Sequence, residues 1–99
     1  MHVISRTTLK RAATKHSECE SGLEAWYRVA KKAEWRSIDD VKKTYSHADG
    51  VTVGDRTYTV FNIGGNKFRL IVKIEYEYQK VFIKHVLTHA EYDKEDWKK

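Results

Sequence analysis

Hydrophobic and polar side chains alternate most regularly between Thr57 and Leu87. Successive residues of a strand point to opposite faces of a sheet, so this alternation predicts strands. Three are expected, over Thr57–Ile63, Lys67–Tyr76 and Lys80–Leu87. The sequence Gly64-Gly65-Asn66 separates the first two strands and is typical of a hairpin turn with positive φ angles.

The middle strand has an apolar face and a face that carries cations. Its apolar side chains are Phe68, Leu70, Val72 and Ile74, and the opposite face has Lys67, Arg69, Ile71, Lys73 and Glu75. In the third strand, Lys84 and His85 are expected on opposite faces. The alternation therefore predicts one face that packs against other elements and one that presents positive charge.

The first half of the chain has the spacing of helices. Met1–Ile4 is a candidate edge strand, and Ser5 is a candidate N-cap for a helix from Arg6 to about His16. The exposed surface of that helix is basic, with Arg6, Lys10, Arg11 and Lys15. It has two interpretations: a solvated face, or a face that follows phosphates or docks a partner.

Two further helices are predicted. Ser21 and Glu24 fit a capping box for a helix from Gly22 to about Glu34. Its core stripe consists of Leu23, Trp26, Tyr27 and Ala30. A short third helix follows a similar pattern at Ser37 and ends near Tyr45, and residues 47–56 are expected to form a loop.

These elements predict an α+β fold of one domain spanning residues 1–99, with two N-terminal helices packed on one face of a small antiparallel sheet. Each helix has a single apolar stripe, so the helices should cover one face only. The face with Lys67, Arg69 and Lys73 is then expected to remain partly open.

Composition narrows the class of protein. The 99 residues are 40% hydrophobic and 33% charged, as in a soluble globular domain. No apolar run approaches the ~20 residues of a membrane helix, and the first ten residues lack the apolar block of a signal peptide. Cys19 is the single cysteine, which excludes an internal disulfide. We therefore expect a cytoplasmic protein without membrane association.

The net charge of +5 and the pI of about 9.3 favour a polyanionic partner, because clustered cations concentrate phosphates at a surface. The alternative is a charge surplus that only maintains solubility. Composition does not separate the two.

Three residues near the open face have side chains that suit RNA cleavage. The reaction must remove a proton from the 2′-OH, hold the charge that develops on the phosphate, and return a proton to the 5′-oxygen. Arg69 suits the charge, His89 suits proton transfer, and Tyr92 suits hydrogen bonding or stacking on a base. Each also has a structural alternative: a solvated arginine, a loop histidine, and a tyrosine packed on the sheet edge.

Other chemistries are less well supported. His85 and His89 are four residues apart, a ligand spacing only on a helix, and here a strand is predicted to end between them. Cys19 has no base nearby in the sequence, while Thr88 and Glu91 fit a structural capping box. No metal site and no cofactor are expected.

The segment Val60–Asp93, VFNIGGNKFRLIVKIEYEYQKVFIKHVLTHAEYD, resembles the HigB family of toxins from bacterial type II toxin–antitoxin systems. The motifs FNIGGNKFR and THAEYD, in this order and spacing, carry the resemblance, and HVISRTTLKRAATKH adds to it more weakly. It implies a RelE-like fold and an mRNA interferase that cuts messages on the ribosome. It also implies a HigA-type antitoxin with a helix-turn-helix, whose complex with the toxin represses their operon.

The resemblance also implies roles for individual residues. Arg69 matches the arginine that contacts the scissile phosphate, and His89 and Tyr92 match the basic and tyrosine positions after the last strand. The residues expected to hold RNA are Asn66, Lys67, Lys73 and Lys84.

One family feature is missing from the sequence. The lysines that other members place ahead of the central hairpin have no counterpart, and only Arg56 lies in that region. The general base is therefore open between His89 and a lysine. The acid is open between Tyr92, Lys84 and Lys67.

Two other functions remain open at this level. A non-catalytic module that blocks translation by occupying RNA or the ribosome would need the same cations. A structural domain could instead use the basic helix over residues 6–16 to dock an acidic segment of a partner.

Overall fold

The computed structural model describes residues 1–99 as a layer of helices on a five-stranded sheet. The helices are α1 (Arg6–Lys15), α2 (Glu20–Lys32), α3 (Ile38–Thr44) and α4 (His89–Asp93), with 3-10 turns at Ser17–Cys19 and Asp96–Lys98. The strands are β1 (His2–Ile4), β2 (Asp49–Val53), β3 (Arg56–Ile63), β4 (Phe68–Glu75) and β5 (Lys80–Thr88). None of the helices is both long and apolar enough to cross a lipid bilayer.

The sheet has the strand order β1-β5-β4-β3-β2. Strands β2 to β5 form an antiparallel meander, which confirms the three predicted strands and their turns. The edge strand β1 pairs with β5 in parallel, so the sheet is mixed and the expectation of a purely antiparallel sheet is wrong. The α+β class is confirmed, and β4, which carries Arg69, is the central strand.

Strand β2 lies in the segment that was expected to be a loop. Val51, Thr52 and Val53 are β-branched, and Gly54 follows them with φ +64° at the turn into β3. Gly50 and the polar neighbours obscured this hairpin in the sequence. An edge strand tolerates such residues because only one of its sides pairs.

The core lies between the helices and one face of the sheet, as the apolar stripes predicted. Phe61 of β3 is its centre, with ring centroids 5.5 Å from Trp26, 6.2 Å from Trp35 and 5.4 Å from Tyr45. Trp26 is a core residue, as expected, while Tyr27 is half-buried and has the guanidinium of Arg6 4.2 Å above its ring.

The predicted N-cap of α1 is correctly placed at Ser5, whereas that of α2 is wrong. Ser5 has a left-handed backbone, φ 75°, and its side chain makes no capping hydrogen bond; its carbonyl accepts from the N–H of Thr8 instead. Ser21 lies inside α2, because the 3-10 turn over Ser17–Cys19 runs directly into a helix that begins at Glu20. The helix thus starts before the residues that resemble a cap.

The cap of α3 is correctly placed at Ser37, but Ser37 makes no side-chain hydrogen bond. The carboxylate of Asp40 instead ties the preceding residue to the helix, since its Oδ2 accepts from the backbone N–H of Arg36 at 2.9 Å. The carboxylate also suits the positive end of the helix dipole.

The predicted alternation in β5 is interrupted by a β-bulge. The register passes from Ile71–His85 to Val72–Ile83, which leaves Lys84 as the extra residue. Ile83 and Val86 both belong to the helix-covered side. Lys84 and His85 therefore share the outward side, and the expectation that they lie on opposite faces is wrong.

Candidate functional site

The hairpin turn between β3 and β4 organises the candidate site. Gly64, Gly65 and Asn66 have φ angles of 63°, 61° and 84°, the left-handed values that the sequence predicted. The N–H of Lys67 donates to the carbonyl of Gly64 at 3.4 Å. This backbone path leaves the carbonyls of Asn66 and Lys67 free to accept hydrogen bonds from outside the turn.

The side chain of Arg69 is fixed by backbone carbonyls. Its Nη1 donates to the carbonyl oxygen of Asn66 at 2.9 Å and to that of Phe68 at 3.2 Å. Arg69 takes part in none of the ion pairs of the molecule, and its Nε and Nη2 make no hydrogen bond within the protein. A half-buried guanidinium with free donors can bind a phosphate oxygen through charge-assisted hydrogen bonds.

The ring of Tyr92 lies beside this guanidinium. Its centroid is 5.7 Å from Cζ of Arg69, within the range of a cation–π contact. Burial raises the pKa of the Tyr92 phenol, and the nearby carboxylate of Asp49 raises it further. The phenol is therefore neutral near pH 7 and can donate a hydrogen bond.

His89 is the first residue of α4 and is attached to the same turn. Its backbone N–H donates to the carbonyl of Lys67 at 2.9 Å. Its Nδ1 lies 3.0 Å from Oδ2 of Asp93, a partner that the sequence did not single out. When Nδ1–H donates to this carboxylate, Nε2 keeps a free lone pair that can accept a proton.

A capping box holds the start of α4, as predicted for Thr88 and Glu91. The Thr88 hydroxyl accepts from the backbone N–H of Glu91 at 3.1 Å, and the Glu91 carboxylate accepts from the Thr88 N–H at 2.9 Å. The hydrogen bond from the Thr88 backbone is the main cause of the lowered pKa of Glu91. The box fixes the direction in which His89 and Tyr92 leave the end of β5.

The three lysines expected to hold RNA lie outside this group. The amino group of Lys67 points to the helix side, 3.8 Å from the carboxylate of Glu18. Lys73 is opposite Phe82 in the sheet, and Nζ of Lys84 lies 5.7 Å from the Phe82 ring, so these two lysines form a second basic group on the outward face. Lys73 is four residues, or about 13 Å, from Arg69 along β4.

The residue that stands nearest in sequence to the missing lysines is also remote. Arg56 begins β3, whereas Asn62 of the same strand is the partner of Arg69. Six residues separate them, which corresponds to about 20 Å along a strand. Arg56 therefore does not replace a lysine at Arg69.

Trp97, which the sequence pattern did not single out, covers part of the outward face of the sheet. The ring of Trp97 is stacked on Tyr92, with centroids 5.7 Å apart and an angle of 15° between the planes. It also meets Tyr58 of β3 at 5.9 Å and His85 of β5 at 6.3 Å. A single aromatic residue in the charged run Lys94–Lys99 was the available signal.

A surface depression of about 360 Å³ lies between β5 and this C-terminal segment. His85, Leu87 and Trp97 form its apolar part, and Leu87 is the cross-strand partner of Arg69. Burial lowers the pKa of His85, and the positive charge of Lys84 lowers it further. The depression thus places a neutral imidazole and an aromatic ring next to the arginine.

Two other chemistries considered from the sequence are a reactive thiol at Cys19 and a metal site. Cys19 is fully buried, its thiol donates to the carbonyl of His16 at 3.0 Å, and burial raises its pKa. It is a neutral structural thiol. No three His, Cys, Asp or Glu side chains converge as a metal-binding group.

Comparison with known proteins finds one matching protein family and several relatives of similar length. Residues 19–95 match a family model described as HigB_toxin, the RelE-like toxic component of a toxin–antitoxin system. An mRNA interferase HigB of Escherichia coli O6:H1 is 31% identical over 94 residues, which cover 95% of this chain and 90% of the relative. The mRNA interferase toxin HigB of Escherichia coli K12 and an mRNA interferase HigB of Shigella flexneri are each 34% identical over 93 residues, covering 94% of this chain and 88% of each relative.

Proposed function

This chain belongs to the HigB toxin family, and we propose that it is an endoribonuclease toxin that cleaves messenger RNA and thereby stops translation and growth. The names of its relatives, mRNA interferases, support the activity. The structural observation that best supports ribonuclease activity is the unpaired charge of Arg69. This cation lies in the central strand, has no carboxylate partner and keeps free donors on the outward face.

The proposed reaction is attack of a ribose 2′-oxygen on the adjacent phosphorus. A bond forms between the 2′-oxygen and phosphorus while the bond to the 5′-oxygen breaks. The products are a 2′,3′-cyclic phosphate and a 5′-hydroxyl, and the proton lost at the 2′-OH is balanced by one gained at the 5′-oxygen. We propose that Arg69 holds the extra negative charge of the transition state, without a metal ion.

His89 is the proposed general base. Asp93 accepts from Nδ1 and so leaves Nε2 to take the 2′-OH proton. The alternative base, a lysine, has weaker support because Lys67 is paired with Glu18 and Lys84 lies beside Phe82.

Tyr92 is the proposed residue that orients Arg69 and donates a hydrogen bond. Its ring already contacts Trp97 and the Arg69 guanidinium, which favours orientation over stacking on a base. Its raised pKa keeps the phenolic proton available to a phosphate oxygen or to the leaving oxygen.

RNA is the first partner that we propose for the outward face of the sheet. We propose that Asn66 fixes Arg69 through its carbonyl, and that Lys73 and Lys84 bind a flanking phosphate of the same RNA strand. We also propose that the toxin acts in the cytoplasm on ribosome-bound messages and that a cognate HigA-type antitoxin neutralises it.

The test is to induce this chain in a bacterium and map new mRNA 5′ ends within minutes. The variants are Arg69→Ala, His89→Ala and, as a matched cation control at the far end of α2, Lys32→Ala. New ends should appear inside coding regions with the wild type and Lys32→Ala. Arg69→Ala should lose about 10²-fold or more of the cleavage while it remains folded, since one transition-state donor is worth that much.

The chemistry of the ends separates the alternatives. Polynucleotide kinase should transfer radioactive phosphate to the new ends without prior phosphatase treatment, because they carry a 5′-hydroxyl. In a reconstituted translation system, cleavage should need no metal ion beyond those that translation itself requires. Growth arrest with intact messages would instead indicate a module that blocks translation by occupancy. A folded Arg69→Ala variant that cleaves normally would contradict the assignment.

A further inference from the structure

We propose that Trp97 is a positioning residue, which holds Tyr92 against Arg69 and thereby sets the orientation of the guanidinium that receives the scissile phosphate. This inference rests on the proposed function and extends the site to the C-terminal segment Lys94–Lys99. In the mechanism above Trp97 is only a contact of Tyr92, and the other residues of this segment have no role.

The first argument is the chain of contacts. Trp97 is nearly parallel to Tyr92 at 5.7 Å and 15°, and Tyr92 in turn lies 5.7 Å from Cζ of Arg69. Trp97 also meets Tyr58 and His85, from two strands that flank β4, at 5.9 and 6.3 Å. It therefore connects the Tyr92 ring to two strands of the sheet.

The second argument is that α4 cannot position Tyr92 unaided. A helix of five residues is far shorter than an isolated helix needs for stability, so its side chains depend on tertiary packing. The capping box fixes only its first turn, around Thr88 and Glu91. Trp97 supplies the stacked partner at the other end of the helix.

The third argument is the backbone between the two rings. Glu95 has a left-handed φ of 60°, unfavourable for a residue with a side chain, and its N–H donates to the carbonyl of Tyr92 at 3.1 Å. This reversal ends the helix and returns the chain to the sheet. The indole Nε1 of Trp97 is buried without a hydrogen-bond partner, so aromatic packing, not polar pairing, holds the ring in place.

The experiment compares Trp97→Leu, which keeps an apolar cover, with Trp97→Phe, which keeps a flat ring. Lys99→Ala is the matched control from the same segment, since Lys99 contacts only Asp96 and its side chain is 83% exposed. Cleavage of a message during translation in a purified system, at a series of toxin concentrations, gives the maximal rate and the half-saturating concentration.

Trp97→Leu should lower the maximal rate about 10- to 100-fold and change the half-saturating concentration less than about threefold, because misplacement of a catalytic group affects the transition state most. Trp97→Phe should restore the rate to within about threefold of wild type. Lys99→Ala should behave as wild type. A merely structural role would reduce the folded fraction and would not produce this split or this rescue.

A second readout does not depend on cleavage. The ring of Tyr92 should shift the NMR resonance of the Arg69 Nε proton, and Trp97→Leu should move this resonance as far as Tyr92→Leu does. If the wild type cleaves no RNA, the proposed function fails and the resonance alone decides the inference. A folded Trp97→Leu variant with an unmoved resonance, or with the wild-type rate, would overturn it.

Discussion

Arg69 is oriented by carbonyl oxygens and not by a carboxylate. The carbonyls of Asn66 and Phe68 are partial charges, so they fix Nη1 without neutralising the guanidinium. A carboxylate in the same place would compete with an incoming phosphate for the cation. The guanidinium thus keeps its full positive charge for the phosphate that we propose it binds.

His85 should make stability depend on pH. Its pKa in the folded protein is lowered from 6.5, first by burial and then by Lys84, so the unfolded chain binds a proton more readily than the folded one. The free energy of unfolding should be undiminished above pH 6.5 and fall as the pH drops through 6.5 towards the lower folded value. Urea unfolding at pH 7.5, 6.5 and 5.5 measures this decline.

The control is His85→Phe, which keeps a ring against Trp97 and removes the titrating group. The other charges around the depression, Glu91, Lys94 and Asp96, are the same in both proteins. The variant should lose less stability than the wild type between pH 7.5 and 5.5. Parallel stability profiles would mean that His85 is protonated equally in both states.

The candidate site could be predicted from the sequence only in part. The strand alternation located Arg69, and side-chain chemistry after the last strand pointed to His89 and Tyr92, to which the resemblance to HigB toxins gave the same places. The roles of all three remain predictions. The direction of Lys67 was missed because this residue belongs to the hairpin turn and not to β4, and its long side chain turns to Glu18 on the helix side. Trp97 was missed because no periodicity extends into a charged tail.

At the scale of elements, the pattern of the sequence predicted α1, α2, α3 and four of the five strands, including β1 as a candidate edge strand. The predicted cap of α2 failed because Ser-x-x-Glu patterns also occur inside helices, as at Ser21. The bulge at Lys84 and the strand β2 depend on pairing between distant segments, which no local pattern records. Hydrogen bonding between strands, and not the propensities of the local sequence, determines the bulge and β2.

The contact of α2 with the hairpin turn requires a glycine. A Cβ added at Gly22 would lie 2.8 Å from Cγ2 of Ile63 and 3.3 Å from the backbone N of Gly64. Gly22→Ala should therefore lose about 1–2 kcal/mol of stability, although alanine is the better helix former. Equilibrium unfolding in urea measures the loss, and cleavage should fall too because the turn positions Arg69 and His89.

Gly50→Ala is the matched control for this substitution. The added Cβ would meet only Cγ2 of Thr57, at 3.9 Å, and the backbone there has no positive φ. Its stability should stay within about 0.5 kcal/mol of wild type. Equal effects of both substitutions would show that the close approach of α2 to the turn does not matter.

At the scale of the whole molecule, the positive charges are spread over more than the site. The exposed cations of α1 end at Lys15, and the charge of Lys15 contributes to the lowered pKa of Glu91 in α4. The positive charge at the end of α1 is thus felt at the start of α4, next to His89. A net charge of +5 should draw a polyanion such as RNA towards the molecule.

The affinity for RNA should fall with salt in proportion to the phosphates contacted. For a single strand, the slope of log affinity against log salt is about −0.7 per phosphate. With a 2′-O-methyl oligonucleotide, which the proposed reaction cannot cleave, Arg69→Ala should make the slope shallower by about 0.7. Fluorescence anisotropy at several salt concentrations measures it.

Lys32→Ala removes one charge at the far end of α2 and serves as the comparison. Its slope should equal that of the wild type, because Lys32 touches no phosphate in the proposed complex. Identical slopes for all three proteins would place RNA away from Arg69.

The parallel pairing of β1 with β5 has a consequence for how the molecule is made. His2 pairs with Lys80, so the earliest strand has no neighbour until most of the chain has been synthesised. Contacts between such distant segments form late, and a nascent chain on the ribosome cannot close this sheet early. His89 and Tyr92 emerge later still, so the proposed site would be complete only when translation of the chain is nearly finished.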